Sequence, residues 1–369
     1  RYRADWVIDA AGKGSWVGMK ITSGLGSALI AVCIGIGISL ILALLTGASP
    51  LLTLKALWVG SLGTPDSLAV TINNAVPLIL TGMAVLVAFR AGLFNIGGEG
   101  QMYMGALGAV LVGLYVDLPP VLEVPLLIAG GALFGALLAG LAGLLRAYTG
   151  AHEVISTIMM NYIAQYFVNY MVTKGPLNKG SYSAQTHPIN PSARLPVLWN
   201  NPVSPVTISV IIALASVLFI HWFLTRTKQG FVLNTVGLNP RMATYAGTNI
   251  KGYWISGMML AGAFAGMAGA VMVGGVFHKL VANFSTGAGF TGIAVALLAK
   301  NQPLGLIPAA LLFGGLNSAN LELQLSAGVP KDVVLIIQAV VILSVAVQAV
   351  ISERLEKREA AGIDRVGSQ

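Results

Sequence analysis

Uncharged stretches dominate this chain. Ten intervals of at least 17 residues contain no Asp, Glu, Lys or Arg: 21–54, 67–89, 100–116, 124–145, 154–173, 195–225, 252–278, 280–299, 301–321 and 333–352. A helix of about 20 residues crosses a hydrocarbon core of roughly 30 Å, so each interval has room for one span. The pattern predicts an all-α, polytopic integral membrane protein with about ten transmembrane helices. Two intervals are less regular. The first, 280–299, opens with Asn283, Ser285, Thr286 and three glycines, and the second, 301–321, carries Pro303 and Pro308. Short, broken or re-entrant segments are expected there. Gly130, Gly131, Gly135, Gly140 and Gly143 recur within one interval. Small residues at such spacing let helices approach closely in lipid, where packing drives association.

Composition supports lipid as the main solvent. Of 369 residues, 56% are hydrophobic and 9% charged, against roughly 25% charged in a soluble domain. The net charge of +8 is spread over single Lys and Arg residues. It lacks the basic stripe that tracks a phosphate backbone, so no nucleic-acid partner is expected. The run after Lys20 is long enough to span and is expected to be the first membrane helix rather than a cleavable signal. The domain plan is then a cytoplasmic segment 1–20, a transmembrane domain 21–352 and a cytoplasmic tail 353–369. If the ten spans alternate with the N-terminus inside, fifteen basic residues fall on the inner side and six on the outer. The positive-inside bias then places both termini in the cytoplasm, in the cell membrane.

Two connections exceed simple turns. The outer loop 174–204 holds five prolines and divides the spans five and five. The cytoplasmic loop 226–251 centres on Gly237-Leu-Asn239-Pro240-Arg241-Met-Ala243-Thr-Tyr-Ala-Gly247. Asn is a good N-cap, Pro suits the first helical position and Gly commonly follows a helix end. A two-turn helix is predicted at 240–246. It is only marginal alone, which suits either docking onto another protein or an ordinary surface turn.

Reactive constellations are missing. His152-Glu153 has no second His four positions on, Gly12-Lys13-Gly14 lacks the upstream Gly of a phosphate loop, and no Gly-x-Ser-x-Gly occurs. The four histidines and the lone Cys33 give no metal-ligand spacing. No cofactor or metal is expected on this chain, and any ATP-driven work requires another subunit.

Polar groups inside spans are costly and therefore mark candidate sites. On the fifth span Thr157, Asn161, Gln165 and Asn169 recur every four residues, flanked by Tyr162, Tyr166 and Tyr170. Such a face offers amides beside aromatic rings, fit for a hydroxylated or heteroaromatic solute. The other reading is that the amides join helices and the tyrosines form an interfacial belt. Asn73 and Asn74, and Asn317, Ser318 and Asn320, are further candidates. At the inner end of the third span, Asn95, Gly97, Gly98, Glu99, Gly100 and Gln101 resist a regular helix. Glu99 is expected either to serve substrate passage or to stabilise this break by accepting backbone N–H bonds.

These residues carry a family resemblance. Ala75-Val-Pro-Leu-Ile-Leu-Thr81-Gly82, Ala91-Gly-Leu-Phe-Asn-Ile-Gly97-Gly-Glu-Gly-Gln101, Glu153-Val-Ile-Ser-Thr-Ile-Met-Met-Asn161-Tyr-Ile-Ala164 and Gly289-Phe-Thr-Gly-Ile-Ala-Val-Ala-Leu-Leu298 resemble the permease subunits of ABC importers for nucleosides and simple sugars. These share ancestry with ribose and branched-chain amino acid permeases. The likeness implies a nucleoside permease, with ribose or another simple sugar as alternative. It also implies an ATPase subunit holding ATP and Mg, a second permease that is related but non-identical, and an extracytoplasmic substrate-binding protein. In that family the loop at 237–249 is similar to the segment that meets the ATPase. That role is carried onto Asn239, Pro240, Ala243 and Gly247; Arg241 lies in the same segment but departs from the pattern, as does Thr291 in its own. The rival class, an ion-coupled secondary transporter, is disfavoured because most acidic residues fall at predicted span ends.

Overall fold

A computed structural model describes residues 47–180 and 183–329, parts of 36–45 and isolated positions from 336 to 347. The expected segments 1–20 and 353–369 lie outside the described residues, as does most of the first and tenth intervals.

The described chain is helical. Helices run α1 Pro50–Trp58, α2 Pro65–Arg90, α3 Gly98–Tyr115, α4 Pro120–Thr149, α5 Glu153–Thr173, α6 Ser209–Arg226, α7 Lys228–Leu238, α8 Pro240–Tyr245, α9 Ile250–Met272, α10 Ala288–Leu298 and α11 Leu306–Ser326. Two strands, β1 Val197–Trp199 and β2 Val206–Thr207, pair antiparallel as a hairpin before α6.

Five of these helical stretches are long and apolar enough to cross a membrane: Pro65–Arg90, Pro120–Thr149, Ser209–Arg226, Ile250–Phe277 and Pro303–Ser326. The chain is a polytopic membrane protein. Of the five intervals without such a stretch, 21–54 and 333–352 lie largely outside the described residues, and the other three have local causes, because an interval without charge is not thereby apolar or helical. Helices α3 and α5 fill their intervals but carry amides, glycines and tyrosines. In 280–299 the residues up to 287 are irregular backbone before the short α10, whereas 195–225 keeps its span as α6 after the hairpin. Pro303 lies in a 3-10 turn and Pro308 in the first turn of α11. There a missing N–H has no intrahelical acceptor to lose, so the helix is not interrupted.

Local chemistry sets the helix ends. Thr64 caps α2 by accepting from Ser67 N at 3.0 Å, with Pro65 at its first position. Pro77 lies within α2, and the Thr81 hydroxyl donates to its carbonyl at 2.9 Å. Gly150 ends α4 in the left-handed region. Where α4 ends and α5 begins, Arg146 Nε lies 3.4 Å from Glu153 Oε2, and its guanidinium covers the Trp254 ring at 5.3 Å.

The bundle closes on α9, which packs against α3 and α4 through glycines. A Cβ at Gly266 would fall on the Gly131 carbonyl, and one at Gly105 would fall on the Gly266 carbonyl. Residues 184–195 are laced to residues 274–280, just after α9. Leu195 N donates to Gly274 O, Ile189 N to His278 O and Thr186 N to Leu280 O, each at 2.9 Å. Burial, and then the Arg194 charge, holds the His278 imidazole below its ordinary value.

Candidate functional site

Between α2 and α3 the backbone leaves helical geometry only over 91–97; Gly98, Glu99, Gly100 and Gln101, expected to resist a regular helix, instead form the first turn of α3. Asn95 and Gln101 exchange side-chain amide bonds, both at 3.0 Å, and Asn95 Oδ1 also accepts from Gly97 N at 2.9 Å. Helix α5 reaches into this turn. Asn161 Nδ2 donates to Ile96 O and Asn161 Oδ1 accepts from Gly100 N, both at 2.8 Å. Thr157 Oγ1 accepts from Ile96 N at 3.3 Å and donates to Glu153 O at 2.8 Å.

Glu99 acts on a different element. Its Oε2 accepts from Gly289 N at 2.7 Å, at the N-terminus of α10. Its partner is thus the first turn of another helix, whose positive dipole end favours a carboxylate. The backbones of Gly98 and Gly289 touch, because a Cβ at Gly98 would stand 3.3 Å from Gly289 O. Ser285 and Gly287 also meet the Glu99 carboxylate. Beside them the Tyr103 and Phe284 rings lie 4.7 Å apart.

The candidate path residues separate into two groups. Thr157 and Asn161 are buried, and their polar atoms are engaged with the break. Asn73 donates to Ser204 Oγ at 2.7 Å and Pro205 O at 3.0 Å, fastening the outer hairpin to α2; Asn201 adds a bond to Asp66 Oδ1 at 2.7 Å. Ser318 similarly bonds Gly60 O at 2.7 Å. Asn74 is half-buried on α2. The second group looks outward from the bundle. Tyr162 and Tyr166 are 53% and 72% exposed, with Gln165 and Asn169 half-buried beside them. Asn169 exchanges bonds with Asn283, donating to its Oδ1 at 2.7 Å and accepting from its N at 3.0 Å.

This division has a test. Asn73→Leu removes two partly solvated bonds, a loss of about 1 kcal/mol. The expected result is faster proteolysis at the 197–207 hairpin with unchanged substrate preference. A changed preference in competition uptake would return Asn73 to the path.

The segment 237–247 forms a separate feature. Asn239 Oδ1 accepts from Met242 N at 3.1 Å and caps α8. Pro240 opens the helix, Ala243 is its buried residue and Arg241 is exposed. Gly247 follows at φ 77°. Leu238, Met242 and Tyr245 are strongly exposed, forming an apolar knob.

One internal repeat escaped the sequence-level reading. Thr81-Gly82-Met-Ala84-Val85 in α2 matches Thr291-Gly292-Ile-Ala294-Val295 in α10. The two copies meet in the bundle. Thr81 Oγ1 donates to Ala288 O at 3.1 Å, and a Cβ at Gly82 would stand 3.2 Å from Val295 Cγ1. A search of the sequence against itself could have found this pair.

The chain is thus a polytopic membrane bundle with a glycine-built core, a buried polar turn and an exposed apolar knob. The chain belongs to the family described as the permease component of branched-chain amino acid transport systems, whose model matches residues 67–346. It is 38% identical over 320 residues to the guanosine ABC transporter permease NupP of Bacillus subtilis, covering 86% of this chain and 92% of that one. It is 35% identical over 340 residues to the nucleoside ABC transporter permease NupB of Lactococcus lactis, covering 90% and 93%. A glucose ABC transporter permease of Haloferax volcanii is 33% identical over 323 residues, with 85% and 83% covered. Both bacteria also hold a second matching permease with the same substrate name.

Proposed function

We propose that this chain is the permease subunit of an ABC importer that carries nucleosides across the cell membrane. The observation that carries this reading is its similarity, along most of both chains, to nucleoside-named permeases of two different bacteria. The glucose permease relative supports a simple sugar as the second reading. In the proposed topology about ten spans cross the bilayer with both termini in the cytoplasm. The chain is divided into an N-terminal segment 1–20, a membrane domain 21–352 and a tail 353–369.

The substrate path runs along the outward face of α5, by Tyr162, Gln165, Tyr166 and Asn169. Tyrosine hydroxyls directed into hydrocarbon would be costly, whereas facing a second permease across a wet path satisfies them. That second chain is related and non-identical, a reading supported by the paired permeases in both bacteria. An extracytoplasmic binding protein delivers substrate to the outer side. An ATPase holding ATP and Mg meets the knob of α8, and this chain itself binds no cofactor. Movement of α8 tilts the bundle between outward and inward access.

The experiment is uptake of labelled uridine, guanosine, ribose and leucine by cells carrying all partners, with Asn239→Ala and Gly247→Val alongside. Loss of the Asn239 cap weakens α8 by about 1 kcal/mol, and Val is strained at a left-handed position. Nucleoside uptake that falls in both variants, with the subunits still present, is the expected result. Uptake of ribose or leucine alone would sink the nucleoside reading, and uptake indifferent to loss of the ATPase would sink the importer.

A further inference from the structure

The break between α2 and α3 touches the cytoplasmic segment directly. Gly92 ends α2 at φ 73°, and a Cβ there would stand 2.9 Å from the Gly237 Cα. In the other direction, a Cβ at Gly237 would fall on the Arg90 carbonyl and stand 2.8 Å from Gly92 N. Gly237 is the penultimate residue of α7, two positions before the Asn239 cap of α8. No side chain stands between the two backbones to absorb a displacement by changing rotamer, so a push on α7 is passed on as a push on the end of α2.

From that contact the connection runs through buried groups. Ala91, Leu93 and Asn95 are 0%, 1% and 1% exposed. Arg90 Nη2 donates to Asn301 O at 2.8 Å, tying the end of α2 to the turn after α10. Within a few residues the chain reaches Ile96, Glu99 and Gly100, whose bonds lead to Thr157 and Asn161 of α5 and to Gly289 of α10. Thus the turn has one input from the cytoplasmic segment and outputs to two helices. On α5 the bonded face and the exposed face carrying Tyr162 and Tyr166 are neighbouring stripes of one continuous helix.

We propose that residues 90–101 form the joint by which movement of the α7–α8 segment reorients α5 and α10, with Gly237 and Asn161 as its positioning residues. This rests on the reading of α8 as the ATPase contact. Substrate is touched elsewhere; these two residues set how much transport each hydrolysis event yields.

The test uses the full chain in two settings. In the assembled complex, Gly237→Ala and Asn161→Ala are each expected to retain ATP hydrolysis while uptake per ATP falls about tenfold, within the usual range of coupling between sites. Thr235→Ala on the same helix should leave the ratio unchanged. In the chain alone in nanodiscs, Gly237→Ala should raise hydrogen exchange about tenfold at the Ile96, Gly100 and Gly289 amides, but not in the 197–207 hairpin. Hydrolysis and uptake falling in proportion, with exchange unchanged at those amides, would overturn the joint. Raised exchange together with uptake that ignores the ATPase would uphold the joint and refute the α8 docking. If Gly237→Ala fails to accumulate, Asn161→Ala, with exchange read at Gly289, decides by the same criteria.

Discussion

Gly266→Leu is expected to leave almost no assembled permease in the membrane. At Gly266 three helices converge, and a first added carbon already lands on the Gly131 carbonyl and stands 3.0 Å from the Gly135 Cα. Both obstacles are backbone, so neither can turn aside. Overpacking of a core by side chains costs typically 1–3 kcal/mol. Here the whole α3–α4–α9 contact must open, and the expected cost exceeds about 3 kcal/mol. In lipid the loss is not recovered by burying the new leucine, since hydrocarbon solvates it equally well. Membrane abundance and size-exclusion profile measure the effect, with Gly266→Ala intermediate and lipid-facing Leu137→Ala close to wild type. Normal accumulation of Gly266→Leu would show that the glycine junction is dispensable.

Glu99→Ala is expected to abolish most uptake, whereas Glu99→Gln retains much of it. The alanine leaves the Gly289 N–H buried at the start of α10 without its acceptor. Losing a hydrogen bond to a charged group costs about 1.5–3 kcal/mol. The unanchored α10 then loosens the joint that also carries Asn161. Gln keeps an acceptor oxygen of similar reach and forfeits mainly the charge–dipole attraction, about 0.3–1 kcal/mol. Uptake normalised to complex level, together with thermal unfolding of the purified complex, separates the two. If Gln were as damaging as Ala, the charge rather than the bond would be the required property. Glu99 would then resemble the coupling carboxylate of an ion-driven transporter.

Much of the architecture was legible along the chain. The charge-free intervals locate α2, α4 and α9 closely. The Asn239-Pro240 pair marks the start of α8, whereas of the glycines around Glu99 only Gly97 lies in the interruption and Gly98 and Gly100 begin α3. Each is a local signal, carried by residues that also sit together in sequence. Helix bounds were less legible where the absence of charge coincided with turn-forming residues, as in 195–208 and 279–287.

The site was legible in part. The four-residue spacing on α5 correctly places Thr157, Asn161, Gln165 and Asn169 along one side, yet cannot tell which amides meet a solute and which meet backbone. The repeated Thr-Gly-x-Ala-Val pair lies far apart in sequence, and the two copies become neighbours only when α2 and α10 pack.

Hydropathy, glycine content and capping residues by themselves determined a helical membrane protein, the positions of most long helices and the two places where helix must stop. Those properties follow from solvent transfer and backbone preference, which act residue by residue. Only the tertiary structure decided that Glu99 serves α10, that Asn161 fastens the break, that Asn73 holds the outer hairpin and that Gly237 rests on Gly92. Hydrogen bonds and close contacts between distant segments depend on how whole helices cross, and no local propensity encodes that.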